Sequence, residues 1–472
     1  MCSIKNNRLR QFSVRISLAL AVAATFQYCF TYAQEDEDNS LTDVYTSGVS
    51  GMPIIKDPSL EVEIITRGLE FPTSMAFLGP DDILVLEKNQ GTVKRVVGGQ
   101  ILDEPLLDVS VATDTERGML GMAIAENITN QHPYVFLYFT ESESQDGEDL
   151  GSEDGEAEGK APLGNRLYRY ELADNKLVNP ILLLELPASP DPAHNGGELT
   201  IGPDNNIYLA VGDVKGYKDE SSITKAQNVK DGTEPDGRAG ILRLTLDGQP
   251  VPGGAIIGEN DPLNFYYAYG IRNSFGMDFD PVTGDLWDTE NGPGYGDEIN
   301  IVRPGFNSGW MKVQGIWAPD EELRGKINEI GIEDLSDLED FEGRGKYNPP
   351  RFVWDETVGP TALKFIDSNK LGEQYENDMF VSDFNGGNIY DFDLSVDRTE
   401  IDLRDQLADT IASSADELEN IILAQGFGAI TDMEVGPDGN LYILTLYLEG
   451  EPCNEYDEIN CLGTIFKISR KV

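Results

Sequence analysis

Two histidines occur among 472 residues, and one of them, His194, stands in "PAHNGGELTIGPDNNIYLAVGD" (192–213), ahead of a Gly-Gly pair and a strand-like run. Histidine ordinarily titrates close to neutrality, so it suits removal of a hydroxyl proton. Asp213 closes the same stretch, and a carboxylate beside the ring would orient it and favour the imidazolium. Downstream, "YGIRNSFGMDFDPVTGDLWDTENGPGYGDEIN" carries Arg272 and Asn273, whose N–H groups suit negative charge developing on an acceptor oxygen. It also carries Gly292-Pro293, whose carbonyls are hard oxygen donors of the kind Ca²⁺ takes. Together these residues suggest oxidation of an alcohol or hemiacetal by base-assisted hydride transfer. No side chain accepts a hydride, so a cofactor is required. The chain has no G-x-G-x-x-G unit in a βαβ setting, which argues against a nicotinamide bound in the usual way, and no CxxC, Walker loop or GxSxG elbow.

Every one of these residues also has a structural reading. His194 could cap a turn, Asp213 could close an Asx-turn, and Arg272 could pair with a surface carboxylate. "ENGPGYGDEIN" is also a tight glycine-rich turn, and His132, in "NQHPYVF", reads as a strand start.

What brings the candidates together is repetition. "FLGPDDILVLEKNQGTVKRV" (77–96), "IGPDNNIYLAVGD" (201–213), "FDPVTGDLWDTENG" (279–292) and "VGPDGNLYILTL" (435–446) each combine a turn with a returning strand, and each leads to another short strand. Looser copies at 130–140 with 165–172, and at 376–384 with 387–394, bring the units to six. Hairpins that cannot bury both faces alone form one core when arranged radially, so the pattern predicts an all-β, six-bladed β-propeller over 60–472. Two sandwich domains would need a linker that the six units do not leave. Nine residues before the turn prolines lie Phe71, His194, Arg272 and Gly428, at equivalent positions on one rim. Hairpin geometry then sets Asp213 near His194, and Asn291-Gly292-Pro293 near Arg272-Asn273. Segments 321–346 and 403–425 have helix-like spacing and are expected as helical inserts; 141–164 is acidic and reads as a solvated loop.

Residues 1–33 read as a secretory signal, basic and then apolar, with an uncleaved anchor as the alternative; 34–59 reads as a linker. Four of the 35 basic residues lie in that segment, which leaves 31 against 84 acidic ones. Such a surface excludes nucleic acid and anionic membranes as partners, and no membrane span is expected in the mature chain. An exported or cell-surface location follows. Cys2 and Cys29 fall in the signal, so Cys453 and Cys461 are expected as a disulfide closing a surface loop. "ENITN" offers a glycosylation sequon at Asn127.

Over about 60–470 the sequence resembles the soluble glucose/sorbosone (aldose sugar) dehydrogenases. The likeness rests on "FPTSMAFLGPDDILVLEKNQGTVKRV", "ERGMLGMAI", "HNGGELTIGPDNNIYLAVGD", "YGIRNSFGMDFDPVTGDLWDTENGPGYGDEINIVRPGFNSGW" and "ITDMEVGPDGNLYILT". The resemblance implies a six-bladed propeller that oxidises a sugar with pyrroloquinoline quinone (PQQ) and Ca²⁺ and passes electrons to an external acceptor. It makes His194 the general base and Asp213 its supporting acid. It sets Glu116, Arg272 and Asn273 beside the quinone, and Gly292 and Pro293 on calcium. The sequence departs from the family's pattern where basic residues hold the cofactor's carboxylates: Asn385, Ala429 and Thr431 stand there, and Ala193 precedes the histidine where some members have Asp. Two other readings remain open: a non-redox propeller binding carbohydrate or protein through the same rim, and a Ca²⁺-dependent lactonase-type hydrolase.

Overall fold

The repeated Gly-Pro-Asp turns explain how these segments become hairpins. At Gly202–Asn206 the Asp204 carboxylate accepts the Asn206 N–H (3.2 Å) while Asn205 takes a left-handed conformation (φ 58°). The turn at Gly436–Asn440 repeats this with Asp438 and the Asn440 N–H (3.1 Å). In both, a tyrosine four residues past the aspartate donates its hydroxyl to the second carboxylate oxygen: Tyr208 to Asp204 at 3.1 Å and Tyr442 to Asp438 at 3.2 Å. A cation from the next strand completes each turn, Arg243 on Asp204 and Lys467 on Asp438. Side-chain oxygens thus satisfy turn amides that a tight reversal would otherwise leave exposed.

The computed structural model describes residues 52–125, 132–142, 162–215, 222–319, 325–330, 332–447 and 462–471. Gly51–Val472 cluster as one compact unit. The strands form six sheets of four or more strands and one two-stranded ribbon. The innermost strands, Pro72–Gly79, Met119–Ala125, Leu199–Ile201, Gly276–Phe279, Pro360–Phe365 and Ile430–Val435, contact one another in turn, and the last returns to the first. This is an all-β propeller arrangement. Leu60–Glu70 pairs antiparallel with Leu462–Arg470, so the beginning of the ring joins its end inside one sheet. Ile54–Ile55, within the segment expected as a linker, adds a strand beside Ile422–Gln425.

Among the described residues the helical inserts are not found. The segment after 321 contributes a strand, Lys326–Glu329, paired with Trp317–Pro319, and a 3-10 turn at Ile332–Asp337. Segment 403–425 contains a 3-10 turn at Asp405–Asp409, one α-turn at Ala415–Leu418, and the strand Ile422–Gln425. Leu407, Leu418 and Leu423 are buried against neighbouring sheets, so tertiary burial sets their conformation over local propensity. Residues 1–33, Asn127, most of the acidic loop, and Cys453 and Cys461 lie outside the described residues. No described helix is long and apolar enough to cross a membrane.

Polar ties join the innermost strands. Thr73 donates to the Met119 carbonyl (2.8 Å), Asp278 accepts the Phe365 N–H (2.9 Å), Thr361 donates to the Ile430 carbonyl (2.7 Å), and Asp432 accepts the Met75 N–H (2.7 Å). Lys364 lies among these carboxylates, 3.1 Å from Glu434 and 3.9 Å from Asp278. Burial disfavours its charge, but Asp278, Glu434, Glu198 and Asp432 outweigh that and hold its pKa above the ordinary lysine value. The carboxylates outnumber the lysine, so burial and mutual repulsion push Asp432 up to about 8 and Glu198 well above its usual range.

Raised carboxylate pKa values make the ring most stable in mild acid. Unfolded carboxyls titrate near pH 4, whereas Asp432, Glu290 and Asp297 are pushed up to about 8, 7 and 6, mainly by burial. Between those limits the native state holds protons that the unfolded chain has released, so stability falls as pH rises. His194, with its pKa lowered mainly by burial, acts oppositely below about pH 6.5, but as a single group. The melting temperature is therefore higher near pH 5 than at pH 8; a steady fall from pH 8 to pH 5 in calorimetry would contradict this. Lys364→Met strands the carboxylates and costs about 3 kcal/mol or more at pH 8 in denaturant titration, with partial recovery at pH 5.

Candidate active site

His194 is held by its backbone before its ring does anything. Its φ is +63°, a left-handed conformation that residues with a Cβ rarely adopt, and Phe71 (47°) and Gly428 (82°) share this feature at the equivalent rim position. The Glu116 carboxylate accepts the His194 N–H (2.7 Å), and the His194 carbonyl accepts the Val214 N–H (3.1 Å). Two glycines allow the close return of the chain. A Cβ on Gly212 would lie 2.3 Å from the His194 carbonyl oxygen, and one on Gly196 (φ 65°) would lie 2.5 Å from that of Ala210. Gly196 thus lets the rim pack against the strand Asn206–Val211, while a Cβ on Gly197 would meet Leu120 of the neighbouring sheet at 2.8 Å.

The ring meets Asp213 at the far end of that strand, Nδ1 to Oδ1 at 2.6 Å, with the histidine 3% exposed and the aspartate fully buried. Asp213 collects further donors: the Lys215 N–H on Oδ1 (2.8 Å), and the Trp310 indole N–H (2.8 Å) and Gln227 amide (3.4 Å) on Oδ2. Burial alone would raise its pKa; His194, Arg272 and Trp310 outweigh burial and leave it below the usual range. An ionised Asp213 requires the proton on Nδ1, which leaves Nε2 as the lone-pair nitrogen. Burial, and then the nearby Arg272 charge, lower the His194 pKa, so the ring is a neutral base at physiological pH.

The next sheet supplies the other half of the mouth. Asn273 accepts the Gly196 N–H (3.1 Å) and donates to the Glu116 oxygen that also holds the His194 N–H (3.1 Å). The Arg272 N–H goes to Glu290 (2.7 Å) and Nη1 to the Asn291 carbonyl (2.6 Å), and its guanidinium lies over the Trp310 ring, 5.4 Å from the centroid. Its Nε is buried without a protein partner. Gly292 donates to Asp297 (2.7 Å), which also accepts the Val358 and Gly359 N–H groups (2.7 and 2.8 Å) and so pins the Gly-Pro loop to the following sheet. Among the described residues no hydrogen bond is made to the Gly292 or Pro293 carbonyl.

His194, Asp213, Glu116, Arg272 and Asn273 are therefore joined, with Gly292-Pro293 beginning one residue past Asn291. Asn385 reaches the same side of the ring, its N–H on the Val358 carbonyl. Ala429 is buried, and Thr431, second in the last innermost strand, turns its hydroxyl toward the Leu444 carbonyl (3.4 Å). No group of three or more His, Cys, Asp or Glu side chains among the described residues forms a metal site.

Sequence reasoning missed Trp310, Gln227 and the buried acids Glu290 and Glu298. Trp310 arrives on a chain excursion: Phe306–Asn307 joins the third sheet in parallel with Tyr266–Tyr269, and the Trp310 N–H caps the Gly270 carbonyl (3.0 Å). Glu290 and Glu298 face each other across adjacent strands, bridged by the Ser308 hydroxyl (2.6 and 3.3 Å). The acids clustered in "DTE" and "DEIN" are the one sequence signal that could have found Glu290 and Glu298.

The family model for glucose/sorbosone dehydrogenase matches residues 69–451, and the chain belongs to that family. It is 25% identical over 400 residues to the aldose sugar dehydrogenase YliI of Escherichia coli, covering 83% of this chain and 92% of the relative. To the quinoprotein glucose dehydrogenase B of Acinetobacter calcoaceticus it is 30% identical over 278 residues, 55% of this chain and 54% of the relative. The PQQ-bound aldose sugar dehydrogenase of Streptomyces coelicolor shares the fold with a TM-score of 0.56 at 21% identity, over 89% of this chain and all of that one.

The Trp310 contact is testable without a cofactor. Trp310→Phe keeps the ring under Arg272 but removes an N–H from Asp213, so the carboxylate attracts the imidazolium more strongly. The His194 midpoint in an NMR titration shifts upward, with His132→Gln assigning the two signals. An unchanged midpoint would contradict the contact.

Proposed function

We propose that the chain is an exported sugar dehydrogenase that oxidises a hydroxyl of an aldose or related polyol, with six sheets acting as six blades around the mouth. The observation carrying this reading is the buried, neutral His194 ring locked on Asp213 beside Arg272 and Asn273. His194 Nε2 takes the hydroxyl proton as the carbon gives up its hydride with both electrons, and the hydroxyl becomes a carbonyl. A bound quinone supplies the two-electron sink that no side chain provides. Asp213 balances the imidazolium as it forms. Arg272 and Asn273 would stabilise negative charge on an acceptor oxygen, and the Gly292 and Pro293 carbonyls would be donors for Ca²⁺. The signal-like residues 1–33 support export, and an external acceptor would take the electrons onward.

The family's PQQ carries an ortho-quinone and three carboxylates. Its quinone end suits the buried Arg272 Nε and the Asn273 amide. Its carboxylate end does not fit: the Asn385 amide donates to the Thr357 carbonyl (3.4 Å), Ala429 has no polar side chain, and the Thr431 hydroxyl is turned to Leu444. PQQ as a whole therefore does not match this mouth.

The reading is tested by dye reduction with a panel of aldoses and Ca²⁺-loaded protein. His194→Ala lowers kcat/KM by about 10²–10⁴-fold, the usual worth of a positioned base. Because His194 titrates below its ordinary value of about 6.5, the acid limb of kcat/KM falls below that pH. An acid limb above pH 7, or full activity in His194→Ala, would overturn the role. Acid release from a lactone without any acceptor would replace dehydrogenation with hydrolysis.

A further inference from the structure

The loop that carries His194, residues 187–195, has its two ends tied by a single side chain. It leaves the second sheet after the strand Lys176–Leu186, where Thr140, Asn165 and Leu186 stand in register across three strands. The Asn165 amide donates to the Pro187 carbonyl (3.2 Å) at the start of the loop and to the Asn195 side-chain oxygen (2.9 Å) at its end. The Asn165 oxygen accepts the Thr140 hydroxyl (2.6 Å), which fixes the way the amide faces. Asn195 carries the tie inward by donating to the Pro192 carbonyl (2.5 Å), and the Tyr138 hydroxyl donates to the Asn195 carbonyl (3.1 Å). Tyr138, Thr140, Asn165 and Asn195 are all fully buried. Between the ends, Arg117 donates to the Ala188 carbonyl and Arg238 to that of Ser189 (3.3 Å). The backbone behind the histidine has no slack either: a Cβ on Gly121 would lie 1.8 Å from the Gly197 carbonyl oxygen.

Resting on the dehydrogenase reading, we propose that Asn165 is a positioning residue for the base: by closing the loop it holds His194 where the ring meets Asp213. Asn165 is fully buried and acts through Asn195, the neighbour of the histidine in sequence. A left-handed residue such as His194 persists only where its surroundings over-determine it, and the Asn165 amide supplies two of those constraints. Without that amide two buried acceptors lose their donor, and the loop relaxes to recover hydrogen bonds. The ring can then turn from Asp213. Nδ1 and Nε2 share the proton, and fewer rings offer a lone pair on Nε2.

The test uses the full chain labelled with ¹⁵N at histidine, where two residues report and His132→Gln assigns them. The wild-type His194 ring shows one tautomer, protonated on Nδ1, in its nitrogen shifts at neutral pH. Asn165→Leu, its fold checked by circular dichroism, shows a mixture of tautomers. In dye reduction with an aldose it loses about tenfold or more in kcat, while KM changes by less than about twofold. Thr140→Val lets the Asn165 amide turn and lowers kcat about threefold or more; Thr140→Ser keeps the hydroxyl and with it the wild-type tautomer and rate. The Thr140 pair carries the test if Asn165→Leu does not fold. A folded Asn165→Leu or Thr140→Val protein with the wild-type tautomer would overturn the proposal. Equal losses in Thr140→Val and Thr140→Ser, or a loss confined to KM, would do the same. Wild-type protein that oxidises no sugar removes the dehydrogenase reading instead, and the tautomer comparison then decides the role of Asn165 by itself.

Discussion

The site depends on keeping one carboxylate, Asp213, charged with no exposure to water. An isolated buried carboxylate would take up a proton instead. Asp213 avoids this by drawing donors from four places: the His194 ring, the Lys215 backbone, the Gln227 amide and the Trp310 indole. Each comes from a different stretch of chain, so several elements must be in place before the ring has its orientation. Gln227 ends a 3-10 turn whose capping box ties its amide oxygen to the Thr224 N–H. Trp310 hangs from the third sheet and stacks under Arg272, so the same indole touches both the base's partner and the acceptor's cation.

The ring makes this assembly possible. Innermost strands tied to their neighbours around the axis fix the spacing of the rim, and a left-handed turn at His194 brings its backbone N–H to Glu116 of the neighbouring sheet. Asn273 reaches back from the other side to Gly196 and Glu116, so three consecutive sheets meet at the histidine. The acids of the mouth and axis are a stability cost that the fold reduces by keeping protons on several of them.

The proximity of His194 and Asp213 was legible in the sequence because a hairpin has one register: the Gly-Pro-Asp turn fixes which residues lie opposite, and the two ends must meet. Arg272 and Asn273 were legible for the same reason in the next repeat. Trp310 was not, because the excursion after Val302 leaves its own sheet to join another, and no local pattern encodes that choice. The inserts at 321–346 and 403–425 misled because their charge and spacing suit a helix, while burial of Leu407, Leu418 and Leu423 under the sheets favours short turns and a strand. The replacement of expected cations by Asn385, Ala429 and Thr431 was visible in the sequence; the internal partners of the remaining cations required the structure.

The central claim is that this mouth removes hydrogen from a sugar carbon. The most direct measurement is the rate of dye reduction by purified, Ca²⁺-loaded protein with an aldose carrying deuterium or protium at its oxidised carbon. The account predicts a several-fold slower kcat/KM for the deuterated sugar, with the effect vanishing along with activity in His194→Ala. Equal first-turnover rates for the two sugars at saturating dye would contradict hydride removal at this site.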